Sequence, residues 1–225
     1  MSRPAGATVF DGPDLLHEIC PVSRETVERL SIYVNLLLRW QKAQNLVSPS
    51  TLGEVWRRHV ADSLQILHLA PEARVWADLG SGAGFPGLVT AIVLSGRGEP
   101  GARVHLVESN QRKVAFLRAV IRETGCPAEV HAERIEDVSA GLSDQVQAVS
   151  ARALADLSQL CAYVEPFSAA GAPAIFHKGK NFRDEVTQAS HAWDFDLVQT
   201  ESLIDPDSRL LTLRHIRPRG ATGKG

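Results

Sequence analysis

From Pro71 onward, short apolar runs alternate with segments long enough to be helices, and this rhythm restricts the fold more than any other feature of the chain. The runs are Val75–Leu79 and residues 104–107, 129–131, 148–150 and 174–176. Helix-length stretches lie between most of them, the clearest at 110–124 and 154–164, the second expected to stop before Pro166. Such alternation predicts an α/β architecture, a mostly parallel sheet covered by helices on both faces. The end of the chain breaks the rhythm. Residues 197–200 and 210–216 have no helix-length segment between them, and Asp205-Pro206-Asp207 is a turn signal, so they read as a closing antiparallel hairpin.

Before Pro71 the period is helical. Ser23 is a candidate N-cap, and Val27, Leu30, Val34, Leu37 and Leu38 recur at three- and four-residue steps, predicting an amphipathic helix that ends near Asn45. A second helix is expected after Ser50 or Thr51, burying Val55, Val60, Leu64 and Leu67. The first dozen residues, with Pro4, Gly6, Gly12 and Pro13, carry turn-formers and few anchors, so order is expected from about Asp14. The expected organisation is a tail and helical cap over 1–70, a core over 71–217 and a disordered tail over 218–225.

Composition limits the function classes. A chain of 225 residues, 44% hydrophobic, can bury a substantial core. Its longest apolar stretch, 88–94, suits one buried helix and falls short of the roughly 18 residues of a membrane span. No apolar leader follows Met1, so a cytoplasmic protein is expected. Cys20, Cys126 and Cys161 are widely spaced without a Cys-x-x-Cys or a matching His pair; they read as reduced and packed, with no metal site expected. A net charge of −2 is not the footprint of a protein that holds naked nucleic acid by bulk electrostatics.

The chemistry centres on Asp78-Leu79-Gly80-Ser81-Gly82-Ala83-Gly84-Phe85-Pro86-Gly87, between the first strand and the next helix. Glycines there let the backbone approach a ligand, and the helix start offers free N–H groups. Gly82, Gly84 and Gly87 fit the dinucleotide pattern G-x-G-x-x-G; Gly80, Gly82 and Gly84 fit the G-x-G-x-G of S-adenosylmethionine enzymes. Asp78, two residues before the first glycine, and the terminal hairpin favour the second reading. A nicotinamide-dependent oxidoreductase and a catalytically silent RNA- or ribosome-binding module are the alternatives. Glu108, closing the second strand, is placed to accept hydrogen bonds from ribose hydroxyls. Neither a Pro-Cys nucleophile nor an Asn/Asp-Pro-Pro-Tyr/Phe loop is present, since Ser150-Ala151-Arg152-Ala153 stands after the fourth strand.

Further markers are Trp40-Gln41-Lys42 with Asn45-Leu46-Val47-Ser48, Arg58-His59 with Asp62-Ser63, Arg112-Lys113 with Phe116-Leu117, Ser150 with Arg152-Ala153, and Lys178-Gly179-Lys180. With the glycine loop, these make the chain resemble the ribosomal RNA small-subunit methyltransferase G family, also called glucose-inhibited division protein B. The resemblance implies a Rossmann-like class I S-adenosylmethionine-dependent methyltransferase with a seven-stranded sheet, methylating nitrogen 7 of one guanine in 16S rRNA of the small subunit or its precursor. It implies cofactor contacts at Gly80, Phe85, Ile135, Glu136 and Arg152, with Glu108 as the ribose acid; Asp78, Gly82 and Gly84 complete the expected set. Val47 departs from the family's usual Thr, and Glu108 from its common Asp. Arg152 is also expected to shape the catalytic pocket. Arg57, Arg58, Lys178, Lys180 and Arg183 are candidate RNA contacts. His59 and Asp62, three apart on a predicted helix, read as a structural pair. A monomer is expected.

Overall fold

The computed structural model describes residues 11–220. A short turn at Pro13–Leu15 and one helical turn, α1 (Leu16–Ile19), precede the long helix α2 (Arg24–Trp40). Ser23 caps α2, its hydroxyl accepting from the Thr26 N–H at 3.2 Å, and Leu30, Tyr33, Val34 and Leu37 form its buried stripe. The helix ends at Trp40, short of the expected Asn45, because Gln41 draws the next loop onto itself. Its side-chain carbonyl accepts from the N–H groups of Leu46 and Val47 at 2.9 and 3.1 Å, and its amide donates to the Val47 carbonyl at 2.9 Å.

The second expected helix is broken into pieces. A 3₁₀ segment (Pro49–Glu54) leads into a π-helical segment (Trp56–Ala61), then α3 (Asp62–Leu64) and α4 (Ile66–Leu69). Val55, Val60, Leu64 and Leu67 are all buried, as the pattern requires. The wide π turn changes where the polar groups between them point. Its Arg58 carbonyl accepts from the Arg152 guanidinium at 2.8 Å, and its His59 carbonyl accepts from Ser63 Oγ at 2.6 Å.

The sheet follows: β1 (Val75–Leu79), α5 (Gly87–Gly96), β2 (Arg103–Val107), α6 (Gln111–Thr124), β3 (Ala128–His131), α7 (Ile135–Leu142), β4 (Ala148–Arg152), α8 (Leu157–Ala169), β5 (Ala174–Lys178), α9 (Phe182–Ala189), β6 (Trp193–Glu201) and β7 (Arg209–Pro218). Its seven strands are ordered β3-β2-β1-β4-β5-β7-β6. The first five are mutually parallel, and β7 runs antiparallel between β5 and β6. Pro218 belongs to β7, one residue into the stretch expected to be disordered; residues 221–225, like 1–10, lie outside the described residues.

Alternation along each strand divides the core between two faces. Trp76, Val104 and Leu106 pack with Leu30 and Leu37 of α2, Leu88 and Ile92 of α5, and Phe116 of α6; one apolar cluster therefore runs through the helices before residue 71 and this sheet face. Ala77, Leu79, Val107 and Val149 pack with Val138 of α7 and with Leu160, Val164 and Phe167 of α8. Each fully buried Leu or Phe contributes roughly 1.5–3 kcal/mol. That term explains α8, which starts at Leu157 instead of 154 and passes through Pro166 instead of stopping before it. Ala162, whose carbonyl Pro166 deprives of a helical partner, is an exposed residue, while Phe167 beyond it is fully buried and Ser168 Oγ accepts from the Ile216 N–H at 2.8 Å. The helix start is set later by Asp156, whose carboxylate accepts from the Gln159 N–H at 2.9 Å. All three cysteines are free and buried.

Candidate cofactor and acceptor site

The strand order reverses between β1 and β4, and the loops leaving β1, β2 and β4 meet there. Two adjoining cavities occupy this position, of about 280 and 340 Å³. The first is walled by Val107, Glu108, Ile135, Glu136, Leu154 and Tyr163, the second by Ser48, Thr51, His59, Gly82, Phe85 and Arg152. Gly80, Lys113 and Ala153 line both, so the two form one elongated crevice.

Glu108 fixes the middle of this crevice. Its carboxylate accepts from the Gly82 N–H at 2.9 Å and the Asn110 N–H at 2.7 Å, tying the glycine loop to the end of β2. Gly80 and Gly82 take φ of +64° and +57°, and Gly82 has only the Gly80 carbonyl within 4 Å of where a Cβ would stand, leaving space on the cavity side. Gly84 behaves differently. At φ +94° its Cβ would strike the Leu88 side chain and come within 3.0 Å of Tyr33 Oη, so it is a packing glycine and not a ligand-facing one. Asp78 also lies behind the crevice wall. Buried beneath the loop, it accepts from Ser150 Oγ at 2.7 Å; burial pushes its carboxyl up from 3.8 to about 6, against the hydrogen bonds from Ser150, Ser81 and the Gly87 backbone, with Glu108 adding repulsion.

Arg152 shares the sheet face of Ser150, two residues before it on β4, and reaches the π segment. Its guanidinium stands 3.3 Å from Asp62 and donates to the Arg58 carbonyl, which leaves it between the second cavity and a third of about 300 Å³ lined by Arg58, Asp62, His177, Lys178 and Arg209. His59 and Asp62 do not pair with each other. His59 Nε2 meets Thr51 Oγ1 at 2.8 Å, and its ring stacks on Phe85 with centroids 5.0 Å apart. Burial, then Arg152 and Arg58, drive His59 down to about 3, so it is neutral at physiological pH. Asp62 accepts from the Gln65 amide at 2.9 Å.

The expected RNA contacts separate. Lys178 is buried, its ammonium donating to the Ala155 carbonyl at 2.7 Å and to Glu185 at 2.6 Å, so it is an internal brace and not a free phosphate contact. Arg58 lines the third cavity and pairs with Asp205 at 3.4 Å. Arg57, Lys180 and Arg183 are exposed and line none of the three cavities. Gly80, Gly82, Phe85, Glu108, Ile135, Glu136 and Arg152 do converge on the crevice. Lys113, Leu154 and Tyr163 join them, none having been expected as a cofactor contact; Lys113 stood only in the Arg112-Lys113 marker, in the first turn of the helix that follows Glu108.

Residues 26–210 match the family model described as GidB, rRNA small subunit methyltransferase G. The chain belongs to this family. Among similar curated proteins, the ribosomal RNA small subunit methyltransferase G of Rhizobium meliloti (strain 1021) is 48% identical over 201 residues, 88% of this chain and 93% of the relative. The protein of the same name from Methylorubrum populi is 52% identical over 190 residues, 84% and 89% of the two chains. Among solved structures, cofactor-bound Rv0187 from MTB covers 90% of this chain and 97% of its own with a TM-score of 0.60 at 16% identity. The O-methyltransferase from Bacillus cereus in complex with SAH covers 90% and 96% with a TM-score of 0.54 at 14% identity. These two likenesses bear on the fold alone, and they make it the Rossmann-like methyltransferase fold. Membership of the family favours methyl transfer over the nicotinamide reading of the glycine loop. No helix among the described residues is long and apolar enough to cross a membrane.

Proposed function

We propose that this chain transfers the methyl group of S-adenosylmethionine to ring nitrogen 7 of one guanosine in 16S rRNA, within the small ribosomal subunit or its precursor. The observation that carries this reading is the continuous crevice from Ile135 to Arg152, with Glu108 and open-faced Gly82 at its middle. The residues present fit the cofactor: Val107, Ile135 and Leu154 offer apolar surface to a flat ring, and the Glu108 carboxylate faces the same space. When bound there, S-adenosylmethionine supplies an electrophilic methyl group on a sulfonium sulfur.

The chain's own residues bind and align. Glu108 keeps lone pairs for two ribose hydroxyls after accepting from Gly82 and Asn110. Lys113 brings a positive charge to the junction of the two cavities, suited to the cofactor's carboxylate. Ile135 and Glu136 bracket the adenine end. Arg152, fixed by Asp62 and the Arg58 carbonyl, shapes the wall against which the acceptor base is held. Guanine nitrogen 7 exposes a lone pair and carries no proton, so no general base is assigned; neutral His59 holds Phe85 in place instead. Exposed Arg57, Lys180 and Arg183 meet RNA phosphates. In this reading the segment before residue 71 caps a core over 71–217, and the protein acts as a cytoplasmic monomer.

The test is methyl incorporation into small subunits purified from cells lacking this protein, followed by nuclease digestion and identification of the labelled nucleoside. The expected product is 7-methylguanosine at a single position. Label on another base, or none, would overturn the reading.

A further inference from the structure

Away from the crevice, two histidines and a glutamate meet on one face of the β2–β3 pair. His105 and Glu129 are register partners on these parallel strands, so their side chains leave the same face, and His131, two residues beyond Glu129, shares it. One ligand atom from each of the three lies within 4.8 Å of the others. His105 Nδ1 and His131 Nε2 approach to 3.0 Å. Two imidazole nitrogens so close can share only one proton. A zinc–nitrogen bond of about 2.0–2.1 Å at a tetrahedral angle sets ligand nitrogens roughly 3.3 Å apart, so these rings need to part by only a few tenths of an ångström.

We propose that His105, Glu129 and His131 form a binding site for a divalent transition-metal ion of the zinc class. Two imidazoles and one carboxylate suit zinc, whereas magnesium and calcium take oxygen ligands. His105 is 3% exposed, which holds its ring in place, while Glu129 and His131 reach the surface and give the ion entry and a water-filled fourth position. The contact of Glu129 to Arg103 is 3.6 Å long between side chains 55% and 61% exposed, weak enough for the carboxylate to exchange it for a cation. Such an ion clips the edge strand β3 to β2. The His131 carbonyl accepts from the Glu108 N–H at 3.0 Å, so the clip lies one backbone hydrogen bond from the ribose acid without entering the crevice. Sequence spacing hides the site, because its residues sit on strands separated by the whole of α6.

The experiment titrates chelator-treated protein with zinc chloride against a chromophoric chelator, alongside cobalt(II) substitution read by its visible ligand-field spectrum. The expected result is one ion per chain, with affinity reduced by about tenfold or more in Glu129→Gln and in His131→Asn. A zinc-dependent rise in melting temperature should vanish in the same variants. His105→Asn alters a buried position and can fail to fold, so the two surface variants decide, each first shown to keep its far-ultraviolet dichroism. Failure of the wild-type chain to compete for zinc, or equal binding by the Glu129→Gln/His131→Asn double variant, overturns the proposal. Neither outcome touches the methyl-transfer reading.

Discussion

Gly82 and Gly84 stand two residues apart and both take positive φ, +57° and +94°, yet different neighbours constrain them. A side chain at Gly82 projects into the crevice, whereas one at Gly84 drives into Leu88 and Tyr33. Gly82→Val is therefore expected to keep a cooperative fold, with a strain cost of about 1–2 kcal/mol, and to lose cofactor binding. Gly84→Val adds overpacking of about 1–3 kcal/mol to the same strain and should show its main defect in stability. Urea melts beside cofactor calorimetry on both variants separate the two roles; equal profiles would refute the distinction. Asp78 makes a second residue-scale case. Its folded-state pKa lies near 6 against 3.8 unfolded, so the native state binds the proton more tightly and the stability this contributes at low pH is lost as pH rises through 6. Asp78→Asn should be more stable than the parent above pH 7, by roughly 1–3 kcal/mol, and should match it near pH 4. His59 has the opposite sign: its pKa is depressed to about 3, so it contributes stability above 6.5 that falls away on acidification. Denaturant midpoints for the Asp78 pair at two pH values check the claim.

At the scale of elements, the π segment matters because it joins the helices before residue 71 to β4 through Arg152. Losing the guanidinium leaves Asp62, 12% exposed at its side chain, without its cation. Arg152→Met and Asp62→Asn are thus expected to be non-additive, with a coupling of about 1–3 kcal/mol in a double-mutant cycle by chemical denaturation; additivity within about 0.5 kcal/mol would show the pair to be incidental. The same segment marks where sequence reasoning ran out. β1 was legible to the residue, because an apolar run bounded by turn-formers and followed by glycines admits few other readings. Glu108 was legible because an acid at a strand's C-terminal end faces the crevice. The π turn was not, since its period differs from the α-helical one by less than a single turn resolves. Lys178 was misread because Lys178-Gly179-Lys180 looks uniformly charged, while the last residue of β5 turns inward and Lys180 lies beyond the strand. Leu154 and Tyr163 join the site through the loop at Ala153, φ +51°, and the helix after it, and no local pattern reports that geometry.

At the scale of the molecule, 24 basic residues against 26 acidic ones leave a charge of −2, so a polyanion gains little from long-range attraction. Binding must come from a shaped surface that brings many weak contacts together. Assembled or partly assembled small subunits are therefore expected to be methylated far faster than a short naked hairpin of the same sequence at physiological salt. Comparable single-turnover rates on the two substrates would contradict this. The placement of β7 between β5 and β6 has a consequence of another kind. β7 follows both of its neighbours in the chain yet lies between them, so β5 keeps a bare edge and β6 has no partner in the sheet until β7 has been made. Arg209 and Leu210 of that strand also wall the third cavity, beside Arg58 and Arg152. A chain that stops before β7 thus lacks both a finished sheet and one wall of that cavity. For a protein that methylates ribosomal RNA, only a chain translated through Pro218 has the finished sheet on which that work rests.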